Sequence, residues 1–378
     1  MTGLQAALPR EHYVDPGTHA LERQRVLLRE WTCAGRLDDL GLAGPEEVLR
    51  PNRMAAVELV GEAVLVTVDA EGALHAHANV CRHRGSQLVP VAEGEPLPPA
   101  CDVKVVRCGY HSWTYGLDGR LIHAPHTEDV TDFAPNDFSL HPVGAETWGG
   151  FLWLHAAPAS ARPLMDSLGE IPQRLQRYPL ARLVVGSRLT YDVRANWKVV
   201  AENYNECYHC GPVHPELCRL VPAFGGGGAG LEWEDGIPHR DGAWTFTMSG
   251  TSNRQPFPDL DEAERVRHKG ELVYPNLMLS LSADHVAAFA LTPLAVDRTR
   301  IVCDLLFAPE AVAAADFDPL DAADFWDLVN RQDWAVCESV QRGMSSRSYS
   351  GGWYAPMEDA SLDIRRWLLP RLQSDADA

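Results

Sequence analysis

Hydrophobic and polar positions divide the chain into stretches of different character. In residues 16–31 apolar positions are interspersed with charged ones, and we expect this stretch to be helical. From Ala55 to Leu154 the pattern changes to short β-branched and aromatic runs, separated by turns such as Glu71-Gly72 and Asp118-Gly119. This middle stretch therefore predicts a small all-β domain.

Beyond a linker at Pro158–Pro163 the pattern mixes both types of element. A long helix is predicted from Asp318 to Arg342, with Asp318-Pro319 as its start and Gly343 as its stop. Another helix is predicted over 196–210. Strand-like runs are predicted at Leu183–Val193, Trp244–Met248, Leu277–Leu281, Val286–Leu291 and Ile301–Phe307.

These elements predict an α+β protein in which an antiparallel sheet grips the long C-terminal helix. We expect three segments along the chain. Residues 1–50 form an N-terminal helical segment that packs on the last domain, residues 51–157 form the all-β domain, and residues 158–378 form the α+β domain.

Composition limits the classes of function and the cellular compartment that we expect for this chain. The formal net charge is -19, with no basic run that would contact phosphates, so we expect no nucleic-acid partner. No stretch approaches the roughly 20 apolar residues of a membrane span. The odd number of cysteines argues against a secreted disulfide framework, and the charged N-terminus argues against a signal peptide, so a cytoplasmic protein is expected.

Two cysteine–histidine pairs lie in glycine-containing loops of the all-β stretch. They are Cys81 with His83 and Cys108 with His111. Two thiolates and two imidazoles are the ligands of a Rieske [2Fe–2S] cluster, in which histidines hold one of the two irons. A structural zinc site is the alternative, although zinc fingers favour paired cysteines followed by paired histidines. The pairs therefore favour electron transfer.

A second group of candidate ligands belongs to the predicted helix 196–210 and the residues after it. At 100° per residue, Glu202, Glu206 and His209 share one face, and a break at Gly211-Pro212 can fold His214 back toward His209. An ordinary amphipathic surface helix would show the same face. Two imidazoles that reach one ion are the alternative interpretation.

Asp333 on the long helix offers a carboxylate to the same ion. It lies within an apolar stripe that includes Trp326, Val329 and Cys337. Burying a lone carboxylate is unfavourable, and a metal ion is one compensation, while a salt bridge or cap contact in the core is another. Two histidines and one carboxylate form the facial triad of non-haem Fe(II) sites that bind O2.

Glu206 has a separate predicted role. A carboxylate beside a metal-bound histidine commonly accepts the second ring N–H and fixes the tautomer. Glu206 would do this for His209 on one side and for a cluster histidine on the other. It would then form an electron and proton bridge between the two iron sites.

Nearly the whole chain resembles the catalytic α subunit of Rieske-type non-haem iron oxygenases, the ring-hydroxylating oxygenase family. Within it the chain is most similar to the branch of choline, carnitine and glycine betaine monooxygenases and stachydrine demethylase. The similar stretches, besides the two cluster loops, are Tyr13–Pro16, Glu202–Cys210, Tyr274–Ser280 and Gln332–Asp333 with Cys337–Gly343. The chain departs from the family in a longer segment between the cluster pairs, and in having Gly109 and Ser112 where Pro and Gly are commoner.

The resemblance implies ligands for two metal centres and a role for Glu206 as the bridge between them. The cluster ligands would be Cys81, His83, Cys108 and His111, and the ligands of mononuclear Fe(II) would be His209, His214 and Asp333. It also implies a homotrimer that uses O2 and receives NAD(P)H-derived electrons through a separate reductase or ferredoxin.

The implied reaction is hydroxylation or N-demethylation of a small quaternary ammonium or N-methylated compound. An aromatic or natural-product substrate with the same metal centres is one alternative, and a Rieske electron carrier without a second iron is another. Aromatic side chains can bind a cation through their π faces. The candidates for such a site are Tyr204, Trp233, Trp244, Phe246, Phe289 and Trp334.

Overall fold

The computed structural model describes residues 3–44, 47–91, 96–228, 231 and 233–373. The chain forms two compact units. The first, called the β unit, contains residues 28–167 and 180–182, and the second, called the α+β unit, contains residues 1–27, 168–179 and 183–378. Residues 28–50, expected with the N-terminal helices, belong to the β unit because the strand Thr32–Arg36 pairs with Phe151–His155.

The described residues form strands and helices in both units. The strands are β1 (Gln5–Ala6), β2 (Thr32–Arg36), β3 (Arg53–Leu59), β4 (Glu62–Val68), β5 (Leu74–Ala78), β6 (Cys101–Asp102), β7 (Val106–Arg107), β8 (Thr114–Tyr115), β9 (Leu121–His123), β10 (Pro142–Trp148), β11 (Phe151–His155), β12 (Val184–Val193), β13 (Ile237–Pro238), β14 (Arg267–Val273), β15 (Leu277–Leu281), β16 (His285–Ala295), β17 (Arg298–Phe307) and β18 (Trp353–Tyr354). The helices are α1 (Glu11–Val14), α2 (Pro16–Glu22), α3 (Leu164–Leu168), α4 (Ile171–Arg174), α5 (Trp197–Tyr204), α6 (Cys210–Val213), α7 (Pro215–Leu220), α8 (Pro309–Val312), α9 (Leu320–Met344) and α10 (Leu362–Gln373).

The β unit consists of two antiparallel sheets. The larger has the strand order β2-β11-β10-β5-β4-β3-β6, and the smaller has the order β7-β8-β9. The loop after β5 carries Cys81, and the loop between β7 and β8 carries Cys108. Both cysteines are buried in one hydrophobic cluster with Leu65, Trp113 and Tyr115. The predicted all-β domain is confirmed, with both cysteine–histidine pairs in its loops. Residues 92–95 of the long segment between the pairs lie outside the described residues.

The α+β unit is built on one antiparallel sheet of order β12-β17-β16-β15-β14-β13. The long helix α9 contacts β12 and α5. It begins at Leu320, two residues later than predicted, and runs through Gly343 to Met344. The Asp318 carboxylate accepts the Leu320 N–H at 2.9 Å, as expected of the predicted cap residue. The predicted sheet and long helix are confirmed. Within the described residues no helix combines the length and apolar character needed to cross a membrane.

One predicted strand is wrong. Residues 244–248 form bends rather than a strand. The Trp244 N–H donates to the Gly250 carbonyl at 2.8 Å, which closes a tight loop, and the Thr245 hydroxyl donates to the Asp284 carboxylate. Side-chain bonds of this kind compete with strand pairing and were not visible in the apolar pattern.

Candidate metal centres

The first cysteine–histidine loop, residues 81–86, is a tight turn. The Cys81 N–H donates to the Ser86 carbonyl at 2.8 Å, and the Gly85 N–H donates to the Cys81 carbonyl at 3.0 Å. Gly85 has φ 75°, a left-handed conformation that glycine adopts without steric penalty. The turn therefore presents Cys81 and His83 together on a rigid backbone.

The second loop, residues 108–113, repeats this hydrogen-bond pattern. The Cys108 N–H donates to the Trp113 carbonyl at 2.8 Å, and the Ser112 N–H donates to the Cys108 carbonyl at 3.1 Å. Ser112 has φ 63° and corresponds to Gly85 of the first loop. The serine thus occupies the left-handed position of this turn, and its hydroxyl accepts from Arg107 Nη2 at 2.7 Å.

The four candidate cluster ligands lie together, with the thiols inside and the imidazoles outside. Cys81 and Cys108 are each 2% exposed, and the Cys108 thiol is in hydrogen-bonding contact with Cys81. His83 is exposed and His111 is half-buried, with ring centroids 4.6 Å apart. This arrangement would place one iron toward the core and the other toward the surface.

The environment of Cys108 and His111 favours the ligand forms of these two side chains. Burial raises the pKa of the Cys108 thiol, but hydrogen bonds from the N–H of Tyr110, from Cys81 and from the N–H of His111 outweigh it and leave that pKa below its usual value. Desolvation, followed by the charges of His83 and Arg84, lowers the pKa of His111, which favours its neutral imidazole. Thiolates and neutral imidazoles are the donor set that a Rieske cluster requires.

Tyr115 adds a hydrogen bond to one of the sulfurs. Its hydroxyl oxygen lies 3.2 Å from Cys81 Sγ and accepts the Arg82 N–H at 3.1 Å. Burial and the contact with Cys81 raise the pKa of Tyr115, so its proton stays in place. Because the oxygen already accepts from Arg82, the hydroxyl proton is available to the sulfur.

The helix predicted over 196–210 is interrupted, which corrects part of the sequence interpretation. α5 ends at Tyr204, and the carboxylate of Glu206 accepts the N–H groups of Tyr208 and, at 3.3 Å, His209. A side chain that caps its own turn competes with helix continuation. The expected helix break at Gly211-Pro212 is also wrong, since these residues lie inside α6.

Glu202 consequently does not share a face with Glu206 and His209. Its Oε1 atom instead accepts hydrogen bonds from Tyr13 at 2.5 Å and from Tyr354 at 2.7 Å. The segment after α5 also contains a disulfide between Cys207 and Cys210. The segment after α5 is thus constrained by the hydrogen bonds of Glu202 on one side and by the disulfide on the other. Helical periodicity predicts neither contact.

His209, His214 and Asp333 converge despite that correction. The two Nε2 atoms are 3.2 Å apart, and Asp333 Oδ1 lies 3.2 Å from His209 Nε2 and 2.9 Å from His214 Nε2. Among the described residues, this is the group of three potential ligands whose donor atoms all lie within 4.8 Å of one another. Separations of about 3 Å are expected for neighbouring ligands bound at about 2.1 Å to one first-row metal ion.

Each histidine of this triad is oriented through its other ring nitrogen. His209 Nδ1 lies 2.6 Å from Glu206 Oε1, and His214 Nδ1 lies 2.8 Å from Gln332 Oε1. Gln332 is itself held by a hydrogen bond from its Nε2 to Glu216 at 3.1 Å. Glu206 makes the predicted contact with His209, whereas Gln332 was not predicted. Its position beside Asp333 in the sequence was the only signal for it.

The electrostatics of the triad suit a divalent cation. Burial lowers the pKa of His209, but the carboxylates of Asp333 and Glu206 outweigh burial and raise it to about 10. Burial raises the pKa of Asp333, but the two imidazoles outweigh it and leave that pKa below its usual value. Because a metal ion binds the neutral imidazole, an ion bound at the triad would displace the proton that the raised pKa of His209 favours.

A cavity of about 340 Å³ in the α+β unit is lined by all three triad residues. Eight aromatic side chains contribute to its walls, and among them Phe246 and Phe289 approach Trp326 with ring centroids 5.4 and 5.8 Å away. Of the aromatic candidates proposed from sequence, all except Trp244 line this cavity. The aromatic lining consists of Tyr204, Phe224, Trp233, Phe246, Tyr274, Phe289, Trp326 and Trp334.

Trp326 is fixed by a buried hydrogen-bond relay. Its Nε1 donates to His285 Nε2 at 3.0 Å, and His285 Nδ1 lies 2.8 Å from Asp284 Oδ1. Asp284 accepts from Arg254 Nε at 2.8 Å, which in turn donates to Asp321 near the start of α9. Trp326 and Asp321 both belong to α9, so the relay ties this helix, which also carries Asp333, to Asp284 and the start of β16.

Comparison with known families gives two matches. Residues 180–374 match the family described as ring hydroxylating alpha subunit (catalytic domain), and residues 40–134 match the Rieske [2Fe-2S] domain. The Rieske match favours the cluster over the zinc alternative. The catalytic-domain match favours an oxygenase over the alternative of a Rieske electron carrier without a second iron.

Similar proteins cover most of the chain. The glycine betaine monooxygenase oxygenase subunit of Pseudomonas aeruginosa is 28% identical over 97% of this chain and 89% of its own length. The carnitine monooxygenase oxygenase subunit of Escherichia coli is 28% identical over 91% of this chain and 86% of its own. The quaternary ammonium Rieske monooxygenase CntA with L-carnitine superposes with a TM-score of 0.71 at 24% identity, covering 98% and 96% of the two chains.

Proposed function

We infer the function from one premise: the chain belongs to the ring-hydroxylating alpha subunit family, and its catalytic domain follows a Rieske [2Fe-2S] domain. It is the terminal oxygenase component of a multicomponent Rieske non-haem iron system. We propose that it uses O2 and NAD(P)H-derived electrons to hydroxylate or N-demethylate a small quaternary ammonium or N-methylated compound. The observation that carries this proposal is the convergence of two imidazoles and one carboxylate in an aromatic cavity.

The proposed ligands divide between the two units. Cys81, His83, Cys108 and His111 would hold the cluster, and His209, His214 and Asp333 would hold the mononuclear iron. When bound, the cluster supplies single electrons and the ferrous ion supplies open coordination positions for O2. The buried thiols, the neutral His111 and the 2.9–3.2 Å separations within the triad support this assignment.

Glu206 and Gln332 would position the iron ligands. Glu206 Oε1 would accept the His209 Nδ1–H, and Gln332 Oε1 would accept the His214 Nδ1–H, which leaves both Nε2 atoms available to a metal ion. We propose that Glu206 also bridges to the cluster of a neighbouring subunit in a homotrimer. Electrons would arrive from a separate flavin and iron–sulfur reductase or a ferredoxin. A cytoplasmic location is part of the same proposal.

The substrate class follows from the cavity walls and from the relatives. Aromatic faces attract an ammonium group, more strongly when it is desolvated. Similar proteins carry the names of glycine betaine, carnitine and choline monooxygenases. In N-demethylation one oxygen atom enters a methyl C–H bond, and the resulting hydroxymethyl group leaves as formaldehyde. The second oxygen atom is reduced to water by two electrons and two protons.

Turnover with a surrogate reductase tests the proposal. The loaded enzyme, NADH and O2 are combined with a panel of N-methylated compounds and aryl acids, and formaldehyde and oxygen are measured together. We expect formaldehyde and consumed oxygen in a ratio near one for at least one N-methylated compound. Turnover of aryl acids alone would reject the substrate class, and no oxygen uptake with any compound would reject the oxygenase assignment.

A further inference from the structure

The cavity beside the triad has many acidic side chains and few cationic ones. Two of the acids belong to the proposed metal site, Asp333 as a ligand and Glu206 as the partner of His209. Among the described residues that line the cavity, Arg174 is the one arginine or lysine, and the acids are Glu206, Glu234, Glu271, Asp333 and Asp363. A substrate that carries a carboxylate therefore depends on Arg174 for a counter-charge.

Arg174 is already neutralised by neighbouring carboxylates. Its Nε donates to Glu271 Oε1 at 2.7 Å, and its Nη2 donates to Glu271 Oε2 at 2.8 Å. Its Nη1 lies 3.9 Å from Glu170 Oε2. Glu271, followed by Glu234 and Glu170, raises the pKa of Arg174. The guanidinium fork is occupied in the bidentate geometry that carboxylates prefer, and the local net charge is negative.

His268 does not replace Arg174 as a source of positive charge. It lines the cavity, is 6% exposed, and packs against Phe246 with ring centroids 4.5 Å apart. Burial lowers the pKa of His268 to about 3, so its imidazole is neutral at physiological pH. The remaining lining histidines, His209 and His214, belong to the proposed iron site.

We propose that this cavity selects an N-methylated monocation whose other end is uncharged, and that Glu271 sets this selectivity by neutralising Arg174. The ammonium group would rest on the aromatic walls, and a hydroxyl, ether, alkyl or aryl group would face Arg174 and Glu271. A carboxylate in the same place would be desolvated beside fixed negative charge, and the one described arginine or lysine of the cavity lining is already paired with Glu271. The inference rests on the proposed function and narrows its substrate class.

Choline and glycine betaine test this selectivity because they share a trimethylammonium group and differ in a hydroxyl against a carboxylate. Binding to the anaerobic, iron-loaded enzyme is measured by titration calorimetry, with tetramethylammonium as a probe of the ammonium site alone. We expect choline to bind at least about tenfold more tightly than glycine betaine, a difference of about 1.4 kcal/mol. Equal binding, or tighter binding of glycine betaine, overturns the inference.

Two matched substitutions test the part assigned to Glu271. Glu271→Gln keeps an oxygen acceptor for Arg174 and removes one negative charge, so glycine betaine should bind about tenfold more tightly while choline changes less than about threefold. Glu170→Gln makes the same chemical change near the same guanidinium, but the Glu170 side chain is 83% exposed, and both affinities should stay within about twofold. Unchanged affinities in Glu271→Gln, or an equal shift for both ligands, would contradict the role of Glu271.

The outcomes also separate this inference from the proposed function. If choline, glycine betaine and tetramethylammonium all fail to bind the loaded enzyme, the substrate class of the proposed function is wrong and the inference is wrong with it. If the cations bind and glycine betaine is preferred, the proposed function stands and only the selectivity inference is overturned.

Discussion

Replacing Glu202 by glutamine should change how the stability of the α+β unit depends on pH. Glu202 lies on α5, just before the loop that carries Glu206 and His209, and it accepts hydrogen bonds from Tyr13 and Tyr354. Desolvation is the main reason why the pKa of Glu202 is raised to about 7, from an ordinary value of 4.5. A glutamine would accept both hydroxyl hydrogen bonds and would not ionise.

The sign and size of the effect follow from that pKa. Between pH 4.5 and pH 7 the native protein holds a proton on Glu202 that the unfolded chain has released, so the native state loses stability as pH rises. A shift of this size corresponds to at most about 3 kcal/mol, at 1.36 kcal/mol per pKa unit. The wild-type contribution is fully present below pH 4.5 and is lost by the time pH exceeds 7.

Thermal unfolding from pH 5 to pH 8 measures this contribution. We expect Glu202→Gln to gain stability over the wild type as pH rises, with the difference levelling above pH 7. At roughly 2–4 °C per kcal/mol, the melting temperatures should differ by several degrees at pH 8. The control is Glu11→Gln, which removes an exposed carboxylate of the same unit. A Glu202→Gln difference that is constant with pH, or that shrinks as pH rises, would refute the reasoning.

Three further substitutions test contacts at the two metal centres and in the core. Tyr115→Phe removes the hydroxyl beside Cys81 Sγ and should lower the midpoint potential of the cluster by a few tens of millivolts in a redox titration. An unchanged or higher potential would contradict a hydrogen bond from Tyr115 to the sulfur. Gln332→Leu removes the partner of His214 Nδ1 and should weaken iron binding about 10–100-fold in chelator competition, whereas wild-type affinity would show that Gln332 does not position the ligand. Asp284→Asn breaks a buried ion pair and should lower the free energy of unfolding by about 3–5 kcal/mol in denaturant titration. An unchanged free energy of unfolding would show that the relay does not stabilise the fold.

Local patterns in the sequence predicted much of the fold because they reflect burial on one face of an element. Alternating and β-branched runs such as 64–68 fall within β4, which is buried over most of its length. The long helix was predicted to within two residues at each end, and the apolar stripe around Asp333 includes the buried Val329 and Cys337. The convergence of Asp333 with two histidines could be anticipated because a buried carboxylate needs a compensating charge.

The contacts that depend on distant parts of the chain were not predictable in this way. The end of α5 is decided by the Glu206 carboxylate, which caps the backbone of its own turn instead of extending the helix. The relay from Trp326 to Asp284 joins α9 to the loop before β16, two segments far apart in the sequence. Periodicity describes which face of an element is buried, but it carries no information on which distant polar group a side chain meets there.

Iron and sulfide analysis of the purified, loaded protein determines whether one chain holds both metal centres. We expect three irons and two inorganic sulfides per chain, with two irons in the cluster and one at the triad. Asp333→Ala should contain two irons, keep the visible absorption and reduced-state EPR signal of the cluster, and lose all turnover. A colourless protein that holds a single zinc, or an Asp333→Ala variant with three irons and full activity, would contradict the assignment of both centres or of the triad.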